Sequence, residues 1–308
     1  MIREEQVALS GRLRARITYH VAGDGPPVIL LHGWGASWYL WQATMLALAG
    51  AGYRALAPDH IGCGQSSKPR LFYTPQDYSA YLNGFLSALG LERVALVGHS
   101  LGGHIALSHA LAHPQQVERL VLVSPAFSAL RQITPTRAQL LLAAAGTPLL
   151  GEMGLALLPA RLLRWCLGRP WGGFHRPDGL PSGFLDRMTT DYLVHATPLV
   201  CNSIRYLVLF SLPILSRLRQ DADLLPRVGR VTMPVLLVWG EHDARLRPGA
   251  FPILSTHLPH AQAMGIADAG HTPPLEAPEE FQAALIEYLR TWGAARTAPP
   301  PGAVRHAN

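Results

Sequence analysis

The chain has 308 residues, of which about half are hydrophobic and only 15% charged, with a formal net charge of +6. That balance suits one large domain, or one domain with an insert, and excludes a disordered chain. The positive charge is nearly all arginine, Lys68 being the single lysine, and it is scattered without a basic helix face or aromatic ladder, so nucleic acid is not an expected partner.

Residues 13–21 alternate moderately and predict a strand, closed by the turn sequence Gly23-Asp-Gly-Pro-Pro27. Val28–Leu31 is a short continuous apolar run, the pattern of a strand buried on both faces. His32-Gly-Trp-Gly35 breaks it, and residues 38–50 read as helical. Tyr53–Ala57 predicts another strand, ended by Pro58-Asp59 and a Gly-rich loop through Ser67. A helix is expected over 75–89, a strand over Val94–Val97, a helix over Ser100–Ala112 and a strand over Leu120–Val123. Short apolar strands alternating with helices predict an α/β fold with a mostly parallel central sheet flanked by helices.

The alternation stops between 126 and 230. That stretch holds Leu- and Ala-rich pieces such as 138–145, 149–168 and 203–218, punctuated by Pro and Gly, and predicts a helical insert. The sheet pattern resumes at Val235–Val238. A final helix begins near Pro278, with Phe281, Leu285, Tyr288 and Trp292 at helical spacing. The Ala/Pro-rich residues 294–308 predict a disordered tail. The expected division is therefore a core of 1–125 and 231–293, an insert of 126–230 and that tail.

Cys63, Cys166 and Cys201 lie far apart and form neither a disulfide framework nor a zinc motif. Cys63 is expected as a small buried side chain, with a reactive thiol as the alternative. The N-terminus lacks a basic start followed by an apolar run, and the apolar stretches are broken before membrane-spanning length. A cytoplasmic protein without stable membrane insertion is the expectation.

The chemical signal is Gly98-His99-Ser100-Leu101-Gly102-Gly103, between a strand and a helix. G-x-S-x-G alone is weak, since about 0.1–0.2 chance matches are expected in a chain this long. The context strengthens it: a serine on a sharp strand-to-helix turn projects its hydroxyl above the sheet, and small neighbours relieve the crowding. A serine hydroxyl needs a base. Of fourteen histidines, His271 stands out, on a loop just ahead of the final helix. His104, His109 and His113 fall on the helix after Ser100 and are expected to pack or face solvent; the His109/His113 spacing lacks a third metal ligand. The imidazole in turn needs a carboxylate. Asp243 follows the strand 235–238 and is the leading candidate, with Glu241 and Asp268 as alternatives. The Leu101 and Trp34 backbone amides are the expected oxyanion donors, with His32 structural. All these pieces fall at strand C-terminal ends, where open parallel sheets place their sites.

Together these residues resemble the α/β-hydrolase superfamily over about 13–125 and 231–293. His32–Gly35 resembles its oxyanion turn. Asp59-His-Ile-Gly-Cys-Gly-Gln-Ser66 resembles its D-x-x-G-x-G-x-S loop, where the Asp is usually structural. Gly98–Gly103 is similar to its nucleophile elbow, and residues 239–243 and 270–276 to its acid and histidine loops. The order Ser100, Asp243, His271 is the family order. The resemblance implies that 126–230 is a cap over the pocket. It implies acyl transfer without cofactor or metal: Ser100 as nucleophile, His271 as base, Asp243 as acid, and a small-molecule ester as substrate. Haloalkane dehalogenases and epoxide hydrolases of this fold place Asp at the elbow, where this chain has Ser100. The Leu-rich cap sequence suggests an ester with an apolar moiety. The alternatives are a carbon–carbon bond hydrolase of ring-cleavage products, a lactonase, thioesterase or perhydrolase, a slow-turnover signal-binding protein of this fold, and association with anionic membrane surfaces.

Overall fold

A computed structural model of the chain describes residues 1–10, 14–69, 75–128, 157, 159–168, 174–195, 223–246 and 249–297. The described strands are β1 (Arg3–Leu9), β2 (Ala15–Ala22), β3 (Pro27–Leu31), β4 (Arg54–Pro58), β5 (Val94–His99), β6 (Val117–Val123), β7 (Val235–Gly240) and β8 (Gln262–Ile266). They form one sheet in the order β1-β2-β4-β3-β5-β6-β7-β8. β2 pairs antiparallel with both β1 and β4, and every pairing from β4 to β8 is parallel. The expected mostly parallel sheet is therefore present.

The described helices are α1 (Gln42–Gly50), α2 (Pro75–Ala88), α3 (Leu101–Ala112), α4 (Ala160–Leu167), α5 (Phe184–His195), α6 (Ala250–His257), the single turn α7 (Pro273–Glu276) and α8 (Pro278–Thr297). Helices cover both faces of the sheet. Side chains alternate across a strand, so Ile29 and Leu31 face one layer while Val28 and Leu30 face the other. The first layer adds Phe85 and Leu86 from α2, Ile105 from α3 and Leu254 from α6. The second adds Met45 and Leu48 from α1 and Phe281, Leu285 and Leu289 from α8. Each such fully buried aliphatic side chain contributes about 1.5–3 kcal/mol of hydrophobic stabilisation. Double-sided burial is why these strands read as continuous apolar runs.

Several elements differ from expectation. β1, β8 and α6 were not foreseen. Residues 38–50 split into a tight 3₁₀ turn, Trp38–Trp41, and α1. Helix α8 runs from Pro278 to Thr297, four residues into the stretch expected as a tail. Residues 298–308 lie outside the described residues, as does most of the insert, including the Leu-rich stretch 138–156. Within the insert, α4 exposes Leu162 and Trp165 and buries Leu163. Among the described residues no helix is long and apolar enough to cross a membrane.

The topology places one position apart from the rest. From β3 the chain crosses to β4 on one side, and the next strand, β5, lies on the other side of β3. The crevice above the C-terminal ends of β3 and β5 is this switch point, where open α/β sheets bind ligands. Ser100 and the turn after Leu31 flank it.

Candidate active site

Ser100 occupies the turn between β5 and α3 by itself, with φ 52° and ψ −112°. A non-glycine residue is strained there, by about 1–3 kcal/mol, and needs strong surroundings to hold it. They are present. Ser100 N–H donates to the Val123 carbonyl on neighbouring β6 (2.9 Å), and the Ser100 carbonyl accepts from His104 N–H (3.1 Å) and Ala126 N–H (2.9 Å). The flanking glycines allow the close approach: a Cβ on Gly98 would overlap the Gly102 carbonyl, and one on Gly102 would overlap the Leu31 and His32 carbonyls. The small residues of the motif are therefore demanded by backbone meeting backbone.

His271 lies on the loop between β8 and α7. Its Nε2 is 3.0 Å from Ser100 Oγ, and its Nδ1 is 2.8 Å from Asp243 Oδ2. An ionised carboxylate only accepts, so Nδ1 carries the proton and Nε2 accepts from the serine hydroxyl. The other carboxylate oxygen, Asp243 Oδ1, accepts from Arg245 N–H (2.9 Å) and Leu246 N–H (3.1 Å). Burial alone would raise the Asp243 carboxyl; the electrostatic pull and hydrogen bond of His271, with these two amides, outweigh it and hold it below the usual carboxylate range. The acid and histidine loops are also laced together, through His242 N–H to the Ala269 carbonyl and Glu241 N–H to the Ile266 carbonyl, both 3.0 Å. Glu241 and Asp268 are exposed, and Asp268 faces Arg176 at 3.9 Å, so Asp243 is the carboxylate brought to His271.

Trp34 sits in the turn after β3. His32 Nδ1–H donates to the Gly33 carbonyl (2.8 Å), and His32 Nε2 accepts from His60 N–H (3.0 Å). The His60 ring in turn donates from Nε2 to the His32 carbonyl (2.8 Å). Burial pulls His32 down to about 4 and His60 well below its usual value, so both are neutral struts. A Cβ built on Gly33 would stand 3.2 Å from Ser100 Cβ, so this turn adjoins the serine. Leu101 is the first residue of α3, and its N–H has no carbonyl one turn earlier in the helix to bond. The two expected amide donors thus belong to the turn after β3 and to the first residue of α3, on either side of the crevice.

Asp59 is buried and bonded within the fold. It accepts from Trp38 N–H (2.9 Å) and Gln65 N–H (2.8 Å), while Ser66 Oγ donates to its carbonyl (2.7 Å) and accepts from Thr18 N–H (3.0 Å). The D-x-x-G-x-G-x-S loop thereby fastens the segment after the Trp34 turn. Cys63 is buried, and desolvation pushes its thiol far above the usual range, which fits a small buried side chain rather than a reactive thiol. His104 is buried against the Ala126 carbonyl (3.1 Å) and His109 against Gln116 Oε1 (2.9 Å). Among the described residues no group of three or more His, Cys, Asp or Glu is arranged to hold a metal.

Two further residues join the site. Glu276 accepts from Thr272 N–H (3.0 Å), beside His271, and from His175 N–H (2.5 Å) and Arg176 N–H (3.2 Å) in the insert. The same insert piece meets the other side of the crevice through Ser37 Oγ to Asp191 Oδ2 (3.1 Å) and Arg187 over the Tyr39 ring (5.7 Å). His99, inside the elbow motif, contacts the His271 backbone. A pattern that leaves its second position open draws no attention to that residue, although a histidine ending a buried strand must find a polar partner.

Residues 26–278 match the family model described as alpha/beta hydrolase fold. The chain belongs to this family. Among curated relatives, the α/β-hydrolase is 43% identical to an uncharacterised Mycobacterium tuberculosis protein over 109 residues, 35% of this chain and 32% of that one. The match thus spans about a third of that relative's length. It is 26% identical to a 2-hydroxy-6-oxononadienedioate/2-hydroxy-6-oxononatrienedioate hydrolase of Paraburkholderia xenovorans, over 89% of this chain and 90% of that one. Among solved structures, the epoxide hydrolase CorEH superposes with a TM-score of 0.77 at 22% identity, covering 95% of this chain and all of that one.

Proposed function

We propose that this α/β-hydrolase is a serine hydrolase acting on carboxylic esters that carry an apolar moiety. The observation that carries this reading is the continuous hydrogen-bond chain Ser100–His271–Asp243, with the serine held on a strained elbow. His271 Nε2 takes the hydroxyl proton as Ser100 Oγ attacks the ester carbonyl. The Trp34 and Leu101 N–H groups hold the oxyanion, aided by the N-terminus of α3. His271 then protonates the departing alcohol, activates water against the acyl-enzyme, and returns the proton to Ser100. Asp243 fixes the imidazole tautomer and stabilises its protonated form. The insert 126–230 is assigned as a cap over the site, supported by the contacts of residues 175–191 with Ser37, Tyr39 and Glu276. Its Leu-rich sequence favours the apolar moiety.

A second reading is favoured by the Paraburkholderia relative, whose match covers most of both chains. The same three residues would then act on a ring-cleavage dienoate, with water cleaving a carbon–carbon bond. A panel of p-nitrophenyl esters of graded chain length, lactones and such a dienoate separates the two. Ser100→Ala should fold normally and lose about 10³–10⁶ in turnover on the true substrate class. Near wild-type turnover by that variant would refute the serine mechanism.

A further inference from the structure

The mechanism above gives no part to His99. This residue ends β5 and is 4% exposed. Its Nε2 lies 2.9 Å from the backbone carbonyl of His271, with the two rings 5.0 Å apart between centroids. A carbonyl only accepts, so Nε2 carries the proton and donates. Burial, and then the neighbouring His271, pull the His99 imidazole down to about 3, so the ring is neutral near pH 7. Its other nitrogen faces the oxyanion turn: a Cβ on Gly33 would stand 2.8 Å from Nδ1. One neutral ring therefore touches the elbow that bears it, the Gly33 turn and the histidine loop.

The sheet explains why such a joint matters. His271 follows β8, which is three places from β5 in the strand order. At about 4.8 Å per strand, the histidine loop must reach across about 14 Å to meet Ser100. The bonds of Nδ1 and Nε2 orient the His271 ring once its backbone is in place. The loop's backbone is tied to the residues after β7 by the amides of Glu241 and His242, and the Nε2–H of His99 adds a direct tie between His271 and the elbow.

We infer that His99 is a positioning residue, which sets the distance between His271 and Ser100 by donating to the His271 carbonyl. This inference rests on the serine-hydrolase reading. A side chain acting this way is defined by its reach. Gln at 99 brings an amide N–H to about the place of imidazole Nε2, whereas the same amide on Asn falls one methylene short.

The test compares His99→Gln, His99→Asn and His99→Leu in the full chain on the best p-nitrophenyl ester. Ser100→Ala serves as blank, and a fluorophosphonate probe labels Ser100 for peptide mass spectrometry. His99→Gln should keep kcat within about threefold of wild type, while His99→Asn and His99→Leu should lose about 10–100-fold in kcat with KM changed less than about twofold. The rate of fluorophosphonate labelling should fall in step with kcat. If His99→Leu fails to fold, the Asn and Gln pair carries the comparison alone. Equal kcat for Asn and Gln, or a lowered Tm with kcat unchanged in the folded protein, would overturn the inference and leave His99 a packing residue. A wild-type chain that is neither active on esters nor labelled at Ser100 would remove the serine-hydrolase reading instead, and the role of His99 with it.

Discussion

Replacing Asp243 by Asn makes the most discriminating perturbation of the site, because the surroundings dictate how the amide must sit. Asp243 uses both oxygens: Oδ1 accepts two backbone amides, from Arg245 and Leu246, and Oδ2 faces His271 Nδ1 at 2.8 Å. Asn has one carbonyl oxygen. Two N–H donors at 2.9 and 3.1 Å claim it, since the alternative leaves both facing an NH₂ group. The NH₂ is thereby turned toward His271 and can only donate. His271 must then accept at Nδ1, which puts its own proton on Nε2, against Ser100 Oγ. The base enters the reaction already protonated. The wrong tautomer in an otherwise intact triad of this kind lowers kcat by about 10⁴ in a serine protease, or about 5.5 kcal/mol of transition-state stabilisation, and a similar loss is expected here. Steady-state hydrolysis of a p-nitrophenyl ester gives kcat, and thermal denaturation shows whether the variant is folded. A folded Asp243→Asn enzyme with kcat within tenfold of wild type would refute this account of the triad.

Two other outcomes follow from the same geometry. Gly102→Ala drives a methyl into the Leu31 and His32 carbonyls, so β3 and α3 must separate; a loss of about 2–3 kcal/mol is expected in urea denaturation, and an unchanged midpoint would contradict the close packing. The Asp243 carboxyl titrates lower in the folded chain than in the unfolded one. Its contribution to stability is therefore complete above the unfolded value, about 4, and is lost as pH falls through the folded value. Wild type should lose stability below about pH 4 more steeply than Asp243→Asn, and equal slopes would show that the pair contributes nothing to acid stability.

The central strands and the motif residues were legible because burial on both faces and backbone crowding leave few acceptable side chains. Val28–Leu31, Val94–Val97 and Val235–Val238 all fall within observed strands. The edges were not legible. β1 carries Arg3, Glu4 and Glu5 on an exposed border, and β8 reads Gln-Ala-Met-Gly-Ile, so neither shows an apolar period. Charged or short edge strands are how sheets avoid pairing with other chains, and that protection erases the sequence signal. α6 was hidden by Pro252, which is tolerated because it stands in the first turn, where its missing N–H has no intrahelical acceptor. His99 and Glu276 escaped notice for another reason. His99 bonds to the His271 carbonyl, and Glu276 to the amides of His175 and Arg176 as well as to nearby Thr272; partners so distant in sequence leave no pattern along the chain.

On the mechanism proposed above, the strained turn at Ser100 sets stability and reactivity against each other at a single residue. Glycine adopts φ 52° freely, whereas any side chain there is crowded by its own backbone. A chain with glycine at 100 would hold its fold more firmly than wild type and carry no nucleophile, while alanine would lose the nucleophile and keep the strain. Selection for robustness alone would drift toward glycine at this position. On that mechanism, the serine marks where durability is given up to hold one hydroxyl in place.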